Sequence, residues 1–256
     1  MKKEDSRQGA SVIFEGMTSI NAVLKASAEN NPRKLVKVYF DKDKTSSKRR
    51  ELSFLRHASR EHGFEVELAD RDYIDSIAVG TSHGGIIAEC TERALPRLDA
   101  DSEIVKNGFY VMLEGIEDPY NFGYALRTLY AAGVSGIILP ERNWSSAAGV
   151  VCRASAGASE LLPSFVSTAL EACEIFKSKG YKIASAGIRD SVSVFDAELK
   201  YPVFLIVGGE KRGISSAVLE KSDVVVRIDY GREFNGSLSA AYAASVLAYE
   251  IFRKNR

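Results

Sequence analysis

The amino-acid sequence predicts an α/β protein of two domains, a small one over 1–98 and a larger one over 104–256 with a parallel sheet. Three observations carry that expectation. Short, nearly continuous apolar runs recur at 181–186, 203–207 and 224–228, the pattern of strands buried on both faces. Stretches with helical spacing alternate with them, as in a doubly wound fold with its ligand site at the strands' carboxyl ends. Between the two halves lies TERALPRLDADSE at 91–103, polar and carrying Pro96, which reads as a linker.

The elements follow in order. Thr18 or Ser19 is placed to cap a helix running to about Glu29. Residues 34–40 alternate like a strand. Helical spacing over 47–62 puts Leu52, Leu55 and Ala58 on one side, and Gly63 stops the helix. Residues 64–68 alternate again, Asp70 can cap a short helix, and 84–88 closes the first domain as a strand. In the second domain 110–113 is a strand, 121–132 a helix closed by Gly133, and 136–139 a strand. A helix from about Ser145 and another over 170–179 precede the three apolar runs. The last helix spans 237–253.

Composition bounds the function. Thirty-four Lys and Arg balance thirty-four Asp and Glu, so no global field announces a nucleic-acid partner. A local cluster remains at Lys42, Lys44, Lys48, Arg49 and Arg50, either a solvated loop or an RNA contact. Cys90, Cys152 and Cys173 are odd in number and far apart, so neither a disulfide framework nor a metal site is expected. The charged start MKKEDSRQ has no apolar stretch behind it and no window approaches a membrane span. A soluble cytoplasmic protein is the expectation.

Three segments carry chemistry. In LEGIEDPYNFGYALRT at 113–128, Pro119 disfavours helix at Asp118, and Asn121 stands where a cap would. Gly123 and Arg127 are four apart and share a helix face just past a strand end. Arg127 is either a structural arginine paired with Glu117 or Asp118, or one with a task. In FLIVGGEKRGIS at 204–215 a buried strand runs into paired glycines and Glu210. Glycines there admit a ligand to bare backbone; an ordinary strand-to-helix turn is the alternative. The segment fits neither a dinucleotide fingerprint nor a Walker loop. In IDYGREFNGSLS at 228–239, Ser237 can cap an Ala- and Ser-rich helix that is apolar on most sides. Such a helix is buried all round or forms a subunit interface.

Taken in order, these segments resemble the SpoU (TrmH-type) family of the SPOUT methyltransferase superfamily. Asn121 with Arg127 after Asp-Pro resembles its first motif. Gly208, Gly209 and Glu210 resemble its Gly-x-Glu motif, and Ser237, Leu238 and Ser239 its Ser-Leu-Asn motif. RASAGA at 153–158 resembles a further signature, and HGGIIA at 83–88 the end of the family's substrate-recognition domain. The likeness runs from about Phe109 to the C-terminus and implies a trefoil-knotted SPOUT domain behind an N-terminal RNA-recognition domain. It implies S-adenosylmethionine (SAM) as cofactor, held by backbone at Gly208, Ile228 and Leu238. It also implies an rRNA or tRNA substrate, and a homodimer through the C-terminal domain with the active site at its interface. No metal is called for.

The implied reaction is methyl transfer to a ribose 2′-hydroxyl. Arg127 would stabilise developing alkoxide charge, with Asn121 and Glu210 orienting it and Ser237 near the acceptor. Arginine rarely gives up its proton, so its role as formal base stays open. Ser239 departs from the family's Asn. It motivates an alternative, a SAM-binding RNA-recognition protein with little catalysis. A base methyltransferase on the same fold is the other alternative.

Overall fold

The computed structural model describes residues 11–28, 33–81, 83–141, 147–209 and 213–256. The chain begins with β1 (Ser11–Glu15), α1 (Gly16–Ala28), β2 (Leu35–Asp41), α2 (Arg49–His62), β3 (Glu65–Ala69), α3 (Arg71–Ile77) and β4 (Ile86–Thr91). Next come β5 (Phe109–Leu113), α4 (Pro119–Ala131), β6 (Gly136–Leu139), α5 (Ala148–Ala154), α6 (Ala158–Leu161), β7 (Ser164–Val166) and α7 (Ala169–Ser178). The chain ends with β8 (Lys182–Ala186), β9 (Val192–Ser193), β10 (Val203–Val207), α8 (Ser216–Lys221), β11 (Val224–Arg227) and α9 (Ala240–Asn255). These elements form two compact units.

The first unit holds the described residues up to Ala94 together with 147–161. Its four strands lie in the order β1-β4-β2-β3, with β4 antiparallel to both neighbours and β3 parallel to β2. Leu52, Leu55 and Ala58 are buried, as their spacing predicts, and Gly63 closes α2 at φ 75 with its N–H donating to the Ser59 carbonyl. His83 is structural: its Nε2 lies 3.0 Å from Asp75, and its Nδ1 accepts from the Gly85 N–H. The sequence places 147–161 in the second domain. In the structure α5 packs on β1, and Cys152 joins the core of Phe14, Val23 and Phe40. Gly149 permits this: a Cβ there would stand 1.9 Å from the Ile13 carbonyl oxygen. A buried ion pair at 3.0 Å joins Arg33 to Glu160 of α6. An Ala- and Gly-rich stretch carries no signal of which core it will join.

The second unit holds a seven-stranded parallel sheet in the order β7-β6-β5-β10-β8-β11-β9. β5, β6 and β10 are buried along their whole length, the property read from their apolar runs. Phe176 of α7 stacks on Phe204 of β10 at 4.2 Å between ring centres. α7 opens with a full capping box, Thr168 and Glu171 each satisfying the other's backbone N–H.

Several boundaries move. α4 starts at Pro119, and its cap is Asp118, whose carboxylate accepts the Asn121 N–H at 2.8 Å, not Asn121. Proline suits a first helical turn because its missing N–H is one the helix leaves unpaired anyway. α9 starts at Ala240 with Ser239 as its cap residue, so Ser237 lies outside the helix. The expected linker is partly structured: Pro96 and Leu98 exchange backbone hydrogen bonds with Val166, and Leu98 is buried. Proline is tolerated on such an edge because no ladder N–H is needed there. The helix expected from about Ser145 begins at Ala148 among the described residues and breaks where Ala156 and Gly157 take positive φ.

All three cysteines are buried and unpaired. Burial pushes the thiols up, to about 12 at Cys152 and about 11 at Cys173. Among the described residues no helix is long and apolar enough to cross a membrane.

Candidate active site

A cavity of about 680 Å³ opens at the carboxyl ends of β8, β10 and β11, within the second unit. Three strand exits form its floor: Ala186 with Gly187, Val207 with Gly208, and Arg227 with Ile228. Ala243 and Leu247 of α9 supply one wall, and the 234–238 segment another. The volume is that of a small-molecule site, and the lining mixes apolar side chains with strand-end backbone.

The glycines here are set by packing of chain on chain. A Cβ on Gly209 would lie 2.8 Å from the Gly115 Cα, and one on Gly115 2.9 Å from the Gly209 Cα. A Cβ on Gly208 would stand 2.5 Å from the Gly213 carbonyl carbon. The exits of β5 and β10 therefore touch backbone to backbone. Close approach of the chain to itself is thus one requirement for glycine here, and Gly208 and Gly209 also line the cavity.

Polar groups surround the same space. Asp229 is held well below the usual carboxylate range by hydrogen bonding from Ser193 and by the Arg227 guanidinium, whose Nε lies 2.8 Å away. It stands ionised in the cavity wall. The Tyr230 hydroxyl accepts the Leu238 N–H at 3.2 Å, and the Tyr230 and Phe234 rings sit 5.8 Å apart. Outside that lining, at the exit of β5, burial pushes the Glu114 carboxyl up.

Of the residues singled out from sequence, Gly208, Ile228, Ser237 and Leu238 come together as cavity lining. Asn121 and Arg127 are not in that lining. Both are exposed on α4, and among the described residues Arg127 has no hydrogen bond or ion pair, so the alternative of a structural arginine paired with Glu117 or Asp118 does not form. Glu210 lies outside the described residues. Ser239 has its hydroxyl buried with no hydrogen-bond partner among them. Sequence reasoning passed over Asp229 and Glu114. Each is the first acidic residue after a strand of the parallel sheet, and that placement was the available signal.

The model of the SpoU rRNA methylase family matches residues 108–249, and that of RNA 2′-O ribose methyltransferase substrate binding matches 13–96. The chain is similar to the 23S rRNA (guanosine-2′-O-)-methyltransferase RlmB of Shewanella oneidensis, 28% identical over 260 residues and the full length of both. Its fold is that of an AdoMet-bound rRNA methyltransferase from Sinorhizobium meliloti, with a TM-score of 0.78, 22% identity, and 95% and 87% of the two chains covered. It is likewise that of the SpoU methyltransferase AviRb from Streptomyces viridochromogenes, with a TM-score of 0.74, 20% identity, and 95% and 90% covered.

Proposed function

This chain belongs to the SpoU rRNA methylase family, and on that premise we propose that it transfers a methyl group from SAM to a ribose 2′-hydroxyl of RNA. The observation that carries the reading is the strand-end cavity, which gathers Gly208, Ile228 and Leu238 from three separate segments. Its size and its mixture of backbone, aliphatic side chains and one ionised carboxylate fit a nucleoside-sized cationic cofactor. Gly208, Ile228 and Leu238 would hold SAM through backbone groups, with Asp229 beside them. When bound, SAM supplies a methyl group already activated on a sulfonium.

The chain's own residues do the rest. A ribose hydroxyl is a poor nucleophile at neutral pH, so it must be aligned and its negative charge stabilised as the proton leaves. Arg127, exposed on α4 and without a partner among the described residues, is the residue for that task. Asn121 six residues earlier and Glu210 orient it, and Ser237 stands at the acceptor end of the cavity.

Because Arg127 lies outside the cavity lining, the complete site is shared in a homodimer. Tyr120 and Tyr124 of α4, and Tyr242, Val246 and Tyr249 of α9, are exposed at intervals that keep each set on one helix face. Two packed helices with aromatic outer faces are what a subunit interface needs. The trefoil knot belongs to the same reading, supported by the insertion of β10 between β5 and β8 and by the passage of the chain from β11 into α9. The 1–98 and 104–256 divisions act as RNA-recognition and methyltransferase domains, in the cytoplasm where the RNA is.

A 23S rRNA transcript is the first substrate to assay, with labelled SAM. Mass spectrometry of digested RNA, from the assay and from cells with and without the gene, should find a 2′-O-methylnucleoside. Methyl groups on bases alone would favour a base methyltransferase. The buried, unpartnered hydroxyl of Ser239 favours one other reading, tight SAM binding with little turnover. Normal SAM affinity with no transfer to any RNA would select it.

A further inference from the structure

The basic stretch at 42–50 divides in the structure. Lys42 is paired with Asp70, and the Lys44 ammonium donates to the Gly84 carbonyl at 3.2 Å. Both are engaged inside the first unit. Arg49 and Arg50 instead open α2, and the cationic surface continues along that helix. Arg49, Ser53, Arg56 and Arg60 recur at i, i+4, i+7 and i+11, so they share one face, with His57 at its edge. Leu52, Leu55 and Ala58 turn inward and anchor the helix to the core.

Between the outward side chains lies a hollow of about 410 Å³, lined by Arg49, Leu52, Ser53, Arg56, His57 and Arg60. Arg49, Arg56 and Arg60 are exposed, and among the described residues their guanidinium groups have no ion pair or hydrogen bond. The Glu61 carboxylate lies 3.3 Å from the His57 Nε2. At the start of the helix Lys48, Arg49 and Arg50 outnumber Glu51, the acidic residue of the first turn, where the backbone dipole is already positive, and Lys48 as cap residue makes no side-chain cap hydrogen bond. Such a breach of local preference costs helix stability and marks charge kept for a task.

We propose that this face of α2 is a contact surface for the phosphodiester backbone of the RNA substrate. The proposal rests on the methyltransferase reading and adds where the RNA lies. A guanidinium presents a planar fork that matches phosphate oxygens two at a time. One helical turn, about 6 Å of rise, separates Arg56 from Arg60, a spacing that suits neighbouring phosphates of one strand. The hollow offers no amide to read base edges, so the surface positions the RNA rather than selecting its sequence.

The test is a salt titration of a 23S rRNA transcript against the whole protein, wild type and R56A/R60A. Each lost phosphate contact lowers the slope of log affinity against log salt by about 0.7–0.9, so the double variant should flatten it by roughly 1.4–1.8. SAM affinity and melting temperature should stay at wild-type values, because both side chains are exposed and unpaired. R56K/R60K should restore most of the slope. An alanine variant with the wild-type slope would overturn the proposal and leave the face to an acidic protein partner or to solvent. SAM binding by the wild-type protein is measured alongside. Its failure would remove the methyltransferase reading, while the salt slope still decides the surface.

Discussion

Arg127 stands exposed on α4 without a partner among the described residues, so little of the fold depends on it. Replacing it by Ala should lower turnover at least about a hundredfold, the scale of losing one charge-stabilising donor, with SAM affinity and thermal stability nearly unchanged. A structural arginine would show the reverse, since stranding a buried carboxylate costs about 3–5 kcal/mol. Steady-state kinetics beside a melting curve separates the two. Lysine at 127 keeps the charge without the fork; recovery of most activity would show that charge suffices and that orientation by Glu210 is not needed. Gly208 teaches the opposite lesson. A valine there would strike the Gly213 backbone, so loss of SAM binding in such a variant would report a distorted loop as much as a blocked site.

At the scale of elements, α9 does two jobs with one sequence. Ala244, Leu247, Ala248 and Ile251 are buried, Ala243 and Leu247 wall the cavity, and Tyr242, Val246 and Tyr249 face outward. Ala243 is therefore a cleaner steric probe than Gly208. Leucine is nearly as good a helix former as alanine, and its added carbons would enter the cavity. A243L should weaken SAM binding at least about tenfold, or about 1.4 kcal/mol, at unchanged melting temperature. Calorimetry showing wild-type affinity would move the cofactor out of this cavity. Helices with a clear apolar side were legible from periodicity alone, α2 above all. Their starts were less so, because the cap is chosen by local competition: Asp118 wins over Asn121 once Pro119 takes the first turn. The short pieces β1, β7, β9, α6 and α8 escaped, being too brief to complete a period.

For the whole molecule the open question is assembly. Tyr124 is 51% exposed and Tyr242 65%, large aromatic surfaces for a lone subunit. Y242E/Y249E should convert a dimer into a monomer in sedimentation and abolish methyl transfer, because the site would lose its second contributor. A dimer that persists in this variant would place the interface elsewhere. By itself the sequence determined the α/β class, the parallel sheet of the second domain, and the family, because continuous apolar runs and three ordered motifs are properties of the chain read in line. Only the tertiary structure decided that 147–161 packs into the first unit, that β10 runs between β5 and β8, and that Lys42 and Lys44 are engaged while Arg56 and Arg60 have no partner among the described residues. The physical reason is common to all three. Periodicity reports which side of an element avoids water, but not which distant surface or countercharge will cover it.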